Sequence, residues 1–276
     1  MNNPLFISEA SSNYQVIREL GHGGEGRVYL VRDRSTNEKF VMKIFYRPMR
    51  GPLIEGIRRY AARVDRNSYG LPKSRLIQTK DQIEAVLYPY MPLYMLHWRL
   101  RIIFEPLPQA LFGTYCRMQT FLLSQHQVAL VDTIADNFML SRSGRFHYID
   151  LGRGISPIHY DKYVDRGEFG YSFAMLLLSL YNVNIKMGNL PRPGYSYGRP
   201  CVYCMDKRLD IIAHRHQWVQ EILLEVRSRK ASVFLEPRFY QELGKRFSTM
   251  VPFPFLIFLA SQSLSTVKKF RELRRF

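Results

Sequence analysis

The sequence has little that would point to an extracellular or membrane-spanning protein. Its 276 residues include three cysteines, Cys116, Cys201 and Cys204, which are too few for a disulfide-dependent fold of this length. The N-terminus lacks the charged and then apolar segments of a secretory leader, and no run of about 18 apolar residues occurs. We therefore expect a cytoplasmic protein without a spanning helix.

Acidic residues are also scarce relative to basic ones. The chain has 40 Lys and Arg against 23 Asp and Glu, which gives a formal net charge of +17. Such an excess favours anionic partners, and nucleotides, acidic proteins, nucleic acid and anionic membranes all satisfy it. Because 46% of the residues are hydrophobic and 23% are charged, the chain is typical of a globular protein with one large domain or two lobes.

A glycine-rich motif lies near the N-terminus. Residues 14–20 and 27–31 are predicted strands, and the segment GHGGEG between them, at positions 21–26, fits the pattern G-x-G-x-x-G. Glycines in such a turn allow the backbone to approach phosphate oxygens, where a Cβ would collide. A third predicted strand, at 39–45, contains Lys43. A motif that leads from strand to strand is unlike a dinucleotide-binding turn, which leads into a helix.

A second polar motif lies near the middle of the chain. Asp132, Asn137 and Asp150 flank two apolar segments, 138–140 and 146–149, which are predicted to form a β-hairpin with its turn at 141–144. Such a hairpin would return Asp150 close to Asn137. Amide and carboxylate oxygens suit magnesium, and a further Asp can accept the proton of an attacking hydroxyl. This pattern favours phosphoryl transfer, while the alternative is a polar hairpin with ordinary surface carboxylates.

In type, order and spacing these motifs resemble those of the protein-kinase-like superfamily, whose D-x-G segment would be Asp150-Leu151-Gly152. The resemblance implies an α+β, bilobal fold. A small N-lobe with an antiparallel β-sheet and one helix would comprise residues 1–92, and a larger, mainly α-helical C-lobe would comprise residues 93–276. It also implies ATP and Mg²⁺ as cofactors.

The same resemblance implies roles for individual residues. Asp132 would be the catalytic base, and Lys43 would hold the phosphates of ATP. Arg153 would either supply a cation near the transferred phosphate or face solvent. Asn137 and Asp150 would be the metal ligands. The nucleotide would be bound by residues of the glycine loop, the flanking strands and the hinge, namely Gly21, Gly23, Gly24, Gly26, Val28, Val41, Lys43, Tyr90 and Met91.

Several positions depart from the family pattern. Leu130 and Val131 replace the His and Arg before the catalytic Asp, and Ile134 replaces the Lys that follows it. The A-P-E ending of a long activation segment is missing, as in minimal bacterial effector kinases and kinases of small molecules or lipopolysaccharide-core sugars. The predicted helix at 53–67 offers Glu55 or Asp65 as the acidic partner of Lys43, or supplies none.

The remainder of the chain is predicted to be mainly helical. Helices are expected at 106–127, 173–181, 210–229 and 239–247 from the spacing of their apolar residues. The simpler interpretation of His126 is that it ends the first of these helices, and the alternative is that it takes part in catalysis. Cys201 and Cys204, with His214 and His216, permit a zinc site, although the H-x-H spacing favours a structural role. Residues 189–200 form a predicted loop that could contact substrate.

We expect an ATP- and Mg²⁺-dependent phosphotransferase with a hydroxyl acceptor, in the first place a divergent protein serine/threonine kinase. The alternatives are a membrane-surface kinase of a lipid or a lipopolysaccharide-core sugar, and a nucleotide-binding pseudokinase. The basic segment 251–276 either contacts anionic lipid at the inner membrane surface, as a peripheral protein would, or packs on the C-lobe with a solvated tail. Nucleic-acid binding would explain the charge but none of the motifs.

Overall fold

One antiparallel sheet of five strands organises the N-terminal part of the chain. In this computed structural model the described residues are 13–51, 53–64, 69–94, 101, 104–152, 154–158, 168–183 and 202–248. The spatial order of the strands is β1-β2-β3-β5-β4. The strands are β1 (Tyr14–His22), β2 (Gly26–Asp33), β3 (Lys39–Met49), β4 (Arg75–Gln78) and β5 (Ile83–Pro89).

Strand β3 is longer than its apolar pattern predicts. It continues through Arg47 and Pro48 to Met49, whereas the predicted strand ended at residue 45. The pairing of β3 with β5 is irregular between Ile44 and Met49, so that Pro48 lies where the ladder is interrupted. Proline lacks an N–H group and is tolerated in a strand at such a place.

The alternation of side chains along β2, β3 and β5 separates two faces of the sheet. In the register of these strands Lys43 is paired with Val28 on one side and Val86 on the other. Val41 and Val86 belong to the large core that continues into the C-terminal part. A smaller core covers the opposite face, and its buried members are Tyr29, Val31, Phe40, Met42, Ile44, Ile77, Ala85 and Leu87.

Helix α1 (Leu53–Arg63) connects the sheet to the C-terminal part of the protein. Its Ile57 and Tyr60 side chains are fully buried. Gly56 lies directly against strand β10 (Ile155–Pro157), because a Cβ at this residue would be 2.5 Å from the carbonyl oxygen of Ile155. The helix is therefore held closely against this strand and has little room to shift.

The first long helix after the sheet, α2 (Pro106–Phe121), confirms the predicted buried face. Leu111, Tyr115 and Met118 are at most 1% exposed. The helix continues as one π-turn (Leu122–His126) and ends at Gln127, whose φ is 53°. The next strand, β7 (Val128–Leu130), pairs with β10.

The remaining described elements lie around α3 (Glu168–Leu180), whose Phe173 ring contacts Phe112, Phe234 and Phe239. This helix begins before the predicted position. The other helices are α4 (Lys207–Arg215), α5 (Gln217–Arg227) and α6 (Pro237–Lys245), with short 3₁₀ turns at Ala135–Asn137, Val202–Met205 and Ala231–Leu235. None of the described helices is long and apolar enough to cross a membrane.

The prediction of a single helix at 210–229 is wrong. His216 separates α4 from α5, because its backbone is extended (φ −133°, ψ 97°). Its ring stacks on Tyr181, with 4.1 Å between centroids, and its Nδ1 atom lies 3.0 Å from Glu105 Oε1. These contacts hold the residue outside both helices.

The described elements thus form a mixed α+β fold, as the sequence predicted at this level. The boundary predicted between residues 92 and 93 remains a prediction. Strand β6 (Leu93–Tyr94) begins there and pairs with β8 (Phe138–Ser141). The predicted loop at 189–200 and the basic segment 251–276 lie outside the described residues.

Candidate functional site

A short hairpin brings Asn137 and Asp150 together, as the sequence predicted. Strand β8 pairs with β9 (Phe146–Tyr148), and the turn contains Gly144, whose φ of 78° favours glycine. Beyond the strands, the Ile149 amide donates to the Asn137 carbonyl at 2.9 Å. The Asn137 amide nitrogen lies 3.4 Å from Asp150 Oδ2. The hairpin therefore carries the carboxylate back to the amide.

Two side chains fix the backbone of Asp132 beside this pair. The Asn137 side-chain amide and the Tyr148 hydroxyl each donate to the Asp132 carbonyl oxygen at 3.0 Å. Tyr148 is fully buried, and Gly154 leaves room for its hydroxyl, which an added Cβ would approach to 2.3 Å. These two bonds anchor the main chain of Asp132 and do not use its carboxyl group.

The loop from Leu130 to Asn137 is anchored on two helices by side chains that the sequence motifs did not single out. Gln119 of α2 bonds both the amide and the carbonyl of Leu130. From α3, the Ser172 carbonyl accepts a bond from Thr133 Oγ1 at 2.7 Å, and Ser179 Oγ accepts one from the Ala135 amide at 2.8 Å. The signal available in the sequence was the presence of polar residues on otherwise apolar faces of these helices, where a buried polar group needs a hydrogen-bond partner.

Leu130 and Val131, which directly precede Asp132, have a structural role here. Leu130 is fully buried in β7. The Val131 amide donates to the Gly154 carbonyl at 2.9 Å, which ties the loop to the segment after the D-x-G motif. Apolar residues at these positions therefore pack into the core, and hydrogen bonds from Gln119 and Tyr148 orient the loop.

Lys43 lies between two carboxylates. Its ammonium group donates to Asp150 Oδ1 and, at 2.8 Å, to Glu25 Oε2. Burial opposes the charge on Lys43, but the attraction of Asp150 and Glu25 outweighs it and raises the pKa of the ammonium group. Lys43 is 7% exposed and remains charged.

The acidic partner of Lys43 from outside the D-x-G motif is Glu25 of the glycine-rich turn. Glu55 of α1, one of the two candidates that the sequence offered for this role, does not pair with Lys43, because Glu55 is exposed and pairs with Arg59, one helical turn away. Asp65 lies outside the described residues. Glu25 was missed because the turn was interpreted through its glycines alone.

The acidic cluster shifts the protonation of Asp132. Desolvation by the surrounding protein, together with the nearby charges of Asp150 and Glu25, raises the pKa of Asp132 to about 6, while Lys43 acts in the opposite direction. The residue as a whole is accessible to solvent. A carboxyl group of this pKa is ionised at neutral pH and can still bind a proton.

The glycines of the turn fall into two classes. A Cβ added to Gly21, Gly23 or Gly24 would meet no other atom within 4 Å. At Gly26 it would be 2.0 Å from the Ile44 carbonyl oxygen, so that the pairing of β2 with β3 requires this glycine. The packing of the chain therefore accounts for the glycine at position 26. It does not require glycine at positions 21, 23 and 24, where a Cβ would have open space around it.

The residues predicted for the base-binding part of the cleft lie on the expected sheet. Val28 is half-buried on β2 and Val41 is buried on β3. The predicted hinge follows β5, but the Tyr90 amide donates to the Lys39 carbonyl at 3.1 Å. The amide of Tyr90, a residue predicted to bind the nucleotide, is thus already hydrogen-bonded to β3, and Met91 is half-buried beside it.

Asn137 and Asp150 are a two-residue oxygen donor set. Within the described part of the chain, no group of three or more His, Cys, Asp and Glu side chains is arranged to hold a metal ion. Two protein ligands suit Mg²⁺, which usually keeps several of its waters. The zinc alternative receives no support from the described residues, since Cys204 is buried and His216 bonds Glu105. Cys201 and Arg153 lie outside them.

Comparison of the sequence with models of known protein families and with curated proteins gives no match.

Proposed function

We propose that this chain is an ATP- and Mg²⁺-dependent phosphotransferase that moves the γ-phosphate of ATP to a hydroxyl group. In this proposal the fold is bilobal and protein-kinase-like, with the five-stranded sheet and α1 as the small lobe. One observation carries the proposal: Lys43, Asp132, Asn137 and Asp150 come from separate elements and converge beside the glycine-rich turn. Lys43 lies 107 residues from Asp150 in the sequence, and charged groups that meet across such a distance with a perturbed pKa among them are typical of a functional site.

The chemistry assigned to each side chain follows from its charge and position. Lys43, charged and buried, would bind phosphate oxygens. Asp132, with a pKa of about 6, would accept the proton of the acceptor hydroxyl. The acceptor oxygen then forms a bond to the γ-phosphorus, the bond between that phosphorus and the β,γ-bridging oxygen breaks, and ADP leaves with the electron pair.

A divalent cation fits the charge of the cluster. Among the described residues, the carboxylates of Glu25, Asp132 and Asp150 surround the single ammonium group of Lys43. Asn137 and Asp150 would hold Mg²⁺, which supplies neutralisation of the phosphate charge when it is bound. The excess of carboxylates would otherwise repel a polyphosphate chain.

A protein serine or threonine hydroxyl is the preferred acceptor, because the glycine turn and the lysine strand follow the protein-kinase pattern most closely. The alternative of a lipid or lipopolysaccharide-core sugar depends on segment 251–276, outside the described residues. Liposome flotation tests it. Failure of the full-length protein to bind anionic vesicles at low salt would count against a membrane substrate.

A nucleotide-binding pseudokinase is the second candidate, and one observation favours it. Ile134 is half-buried where the family has a lysine, and among the described residues Lys43 is the one cation whose charge lowers the pKa of Asp132. The charge of the transferred phosphoryl group would then have little compensation within the described site. Retention of Asp132 beside Asn137 and Asp150 favours catalysis.

Calorimetric titration with ATP and Mg²⁺ tests the nucleotide site separately from the reaction. We expect Asp150→Asn to weaken ATP binding by about tenfold or more, since it removes a charged ligand of the metal. Asp81→Asn, a change in an exposed turn, is the matched control and should bind ATP like the wild type. ATP binding that is equal in all three proteins would contradict the proposed site.

A further inference from the structure

Glu25 is the one acidic residue in the glycine-rich segment 21–26. The backbone around it is well bonded, because the Tyr46 amide donates to the Glu25 carbonyl at 2.9 Å and the Gly23 amide lies 3.0 Å from the Gly26 carbonyl. Its side chain reaches the D-x-G segment: Glu25 Oε2 is 3.2 Å from the position that a Cβ on Gly152 would take. The carboxylate therefore spans the distance between the turn and the lysine.

A carboxylate at this point competes with a phosphate for the same donor. Lys43 has three N–H donors, and Asp150 and Glu25 each accept one of them. An ionised carboxylate only accepts hydrogen bonds, so Glu25 cannot bind phosphate oxygens itself. Any anion that approached Lys43 from the side of the turn would meet a like charge.

The position of Glu25 distinguishes it from a partner that merely orients the lysine. Such a partner on α1 would hold Lys43 from a helix, and α1 is fixed by the contact of Gly56 with Ile155. Glu25 instead lies on the turn that would cover the phosphates. A Cβ at Gly23 or Gly24 would meet no atom within 4 Å, so these two residues of the turn are not packed against another part of the protein.

We propose that Glu25 is an internal substitute for phosphate, which occupies Lys43 in the nucleotide-free protein and which a polyphosphate must displace. This inference depends on the proposed nucleotide site and adds a regulatory contact to it. While the ion pair between Glu25 and Lys43 is intact, the site would bind polyphosphate more weakly than it would without Glu25. A condition that breaks this ion pair would raise the affinity for polyphosphate.

The test compares binding of inorganic tripolyphosphate and of adenosine to the full-length protein by calorimetric titration. We expect Glu25→Gln to bind tripolyphosphate about tenfold more tightly than the wild type, because one negative charge near the bound anion is removed. Adenosine, which lacks phosphate, should bind both proteins equally. Glu19→Gln is the matched control, since Glu19 lies on β1 and its ion pairs with His22 and Arg27 are exposed.

The outcomes separate this inference from the proposed function. Lys43→Met removes the ammonium group and should not bind tripolyphosphate. Equal or weaker binding of tripolyphosphate to Glu25→Gln than to the wild type, together with this loss in Lys43→Met, would overturn the role of Glu25 and leave the nucleotide site standing. If neither tripolyphosphate nor ATP binds to any of the proteins, both proposals fail. Glu25→Ala provides a second variant. The melting temperatures of Glu25→Ala and Glu25→Gln are measured to establish that both proteins are folded.

Discussion

The side chain of Gln119 bonds the backbone of Leu130 as a neighbouring strand would. Its Oε1 atom accepts a bond from the Leu130 amide at 3.0 Å, and its Nε2 atom donates to the Leu130 carbonyl at 2.9 Å. Nε2 also lies 3.1 Å from the Tyr115 hydroxyl. All three residues are buried, so the loop that contains Asp132 begins at a fixed point of helix α2.

Replacing Gln119 by methionine should destabilise the protein without a change in charge. Methionine has a similar volume but removes both bonds to Leu130. The buried amide is left without this partner, at a cost of about 1–3 kcal/mol, while the carbonyl keeps a longer bond from Ser172 Oγ at 3.4 Å and loses about 1 kcal/mol. We expect the free energy of unfolding, measured by urea denaturation, to fall by about 2–4 kcal/mol. Gln220→Met, on the exposed side of α5, is the control and should change it little. Equal stability of the two variants would show that the bonds of Gln119 contribute nothing.

Two alanine substitutions in the glycine-rich segment should separate stability from binding. Gly26→Ala places a Cβ 2.0 Å from the Ile44 carbonyl oxygen, so β2 and β3 must move apart, at a cost of about 1–3 kcal/mol. Gly23→Ala meets no atom within 4 Å and should leave the melting temperature nearly unchanged. If phosphate approaches this turn, Gly23→Ala should still weaken ATP binding. A Gly23→Ala protein with unchanged ATP affinity would argue against close approach of phosphate at this residue.

The raised pKa of Asp132 predicts that removing the charge of its carboxyl group stabilises the protein. Its pKa in the folded protein is raised to about 6, above the ordinary value of about 4. The folded protein thus binds this proton more tightly than the unfolded chain does, so stability falls as the pH rises from about 4 to about 6 and the loss persists above it.

Asp132→Asn removes this loss. Its melting temperature should exceed that of the wild type near neutral pH, and the difference should disappear below a pH of about 4, where the carboxyl is protonated in both states. The hydrogen bonds at Asp132 use its backbone carbonyl and are retained. Differential scanning fluorimetry across this range, with Asp81→Asn as a control, measures the effect. A difference that does not depend on pH would contradict the raised pKa.

The sequence was sufficient for the parts of the site that depend on local pattern. The alternating apolar residues of the hairpin and the turn at Gly144 determine how Asp150 returns to Asn137, and both were predicted. The strand that contains Lys43 was predicted as well.

Contacts between distant segments could not be predicted in the same way. The bond between Lys43 and Glu25 depends on the bend of a glycine-rich turn, and the bonds of Gln119 and Ser172 depend on how α2 and α3 pack against β7. The break at His216 has a similar origin, because tertiary contacts with Tyr181 and Glu105 outweigh a continuous helical pattern.

The most direct test of the central claim is the transfer of label from γ-labelled ATP in the presence of Mg²⁺. Wild type, Asp132→Asn and Asp150→Asn are incubated alone and with lysate, and both protein labelling and ATP hydrolysis are followed. We expect the wild type to transfer label and both variants to lose transfer, with Asp132→Asn still binding ATP. Transfer by Asp132→Asn at the rate of the wild type, or no transfer or hydrolysis by the wild type under any of these conditions, would contradict the proposed phosphotransferase.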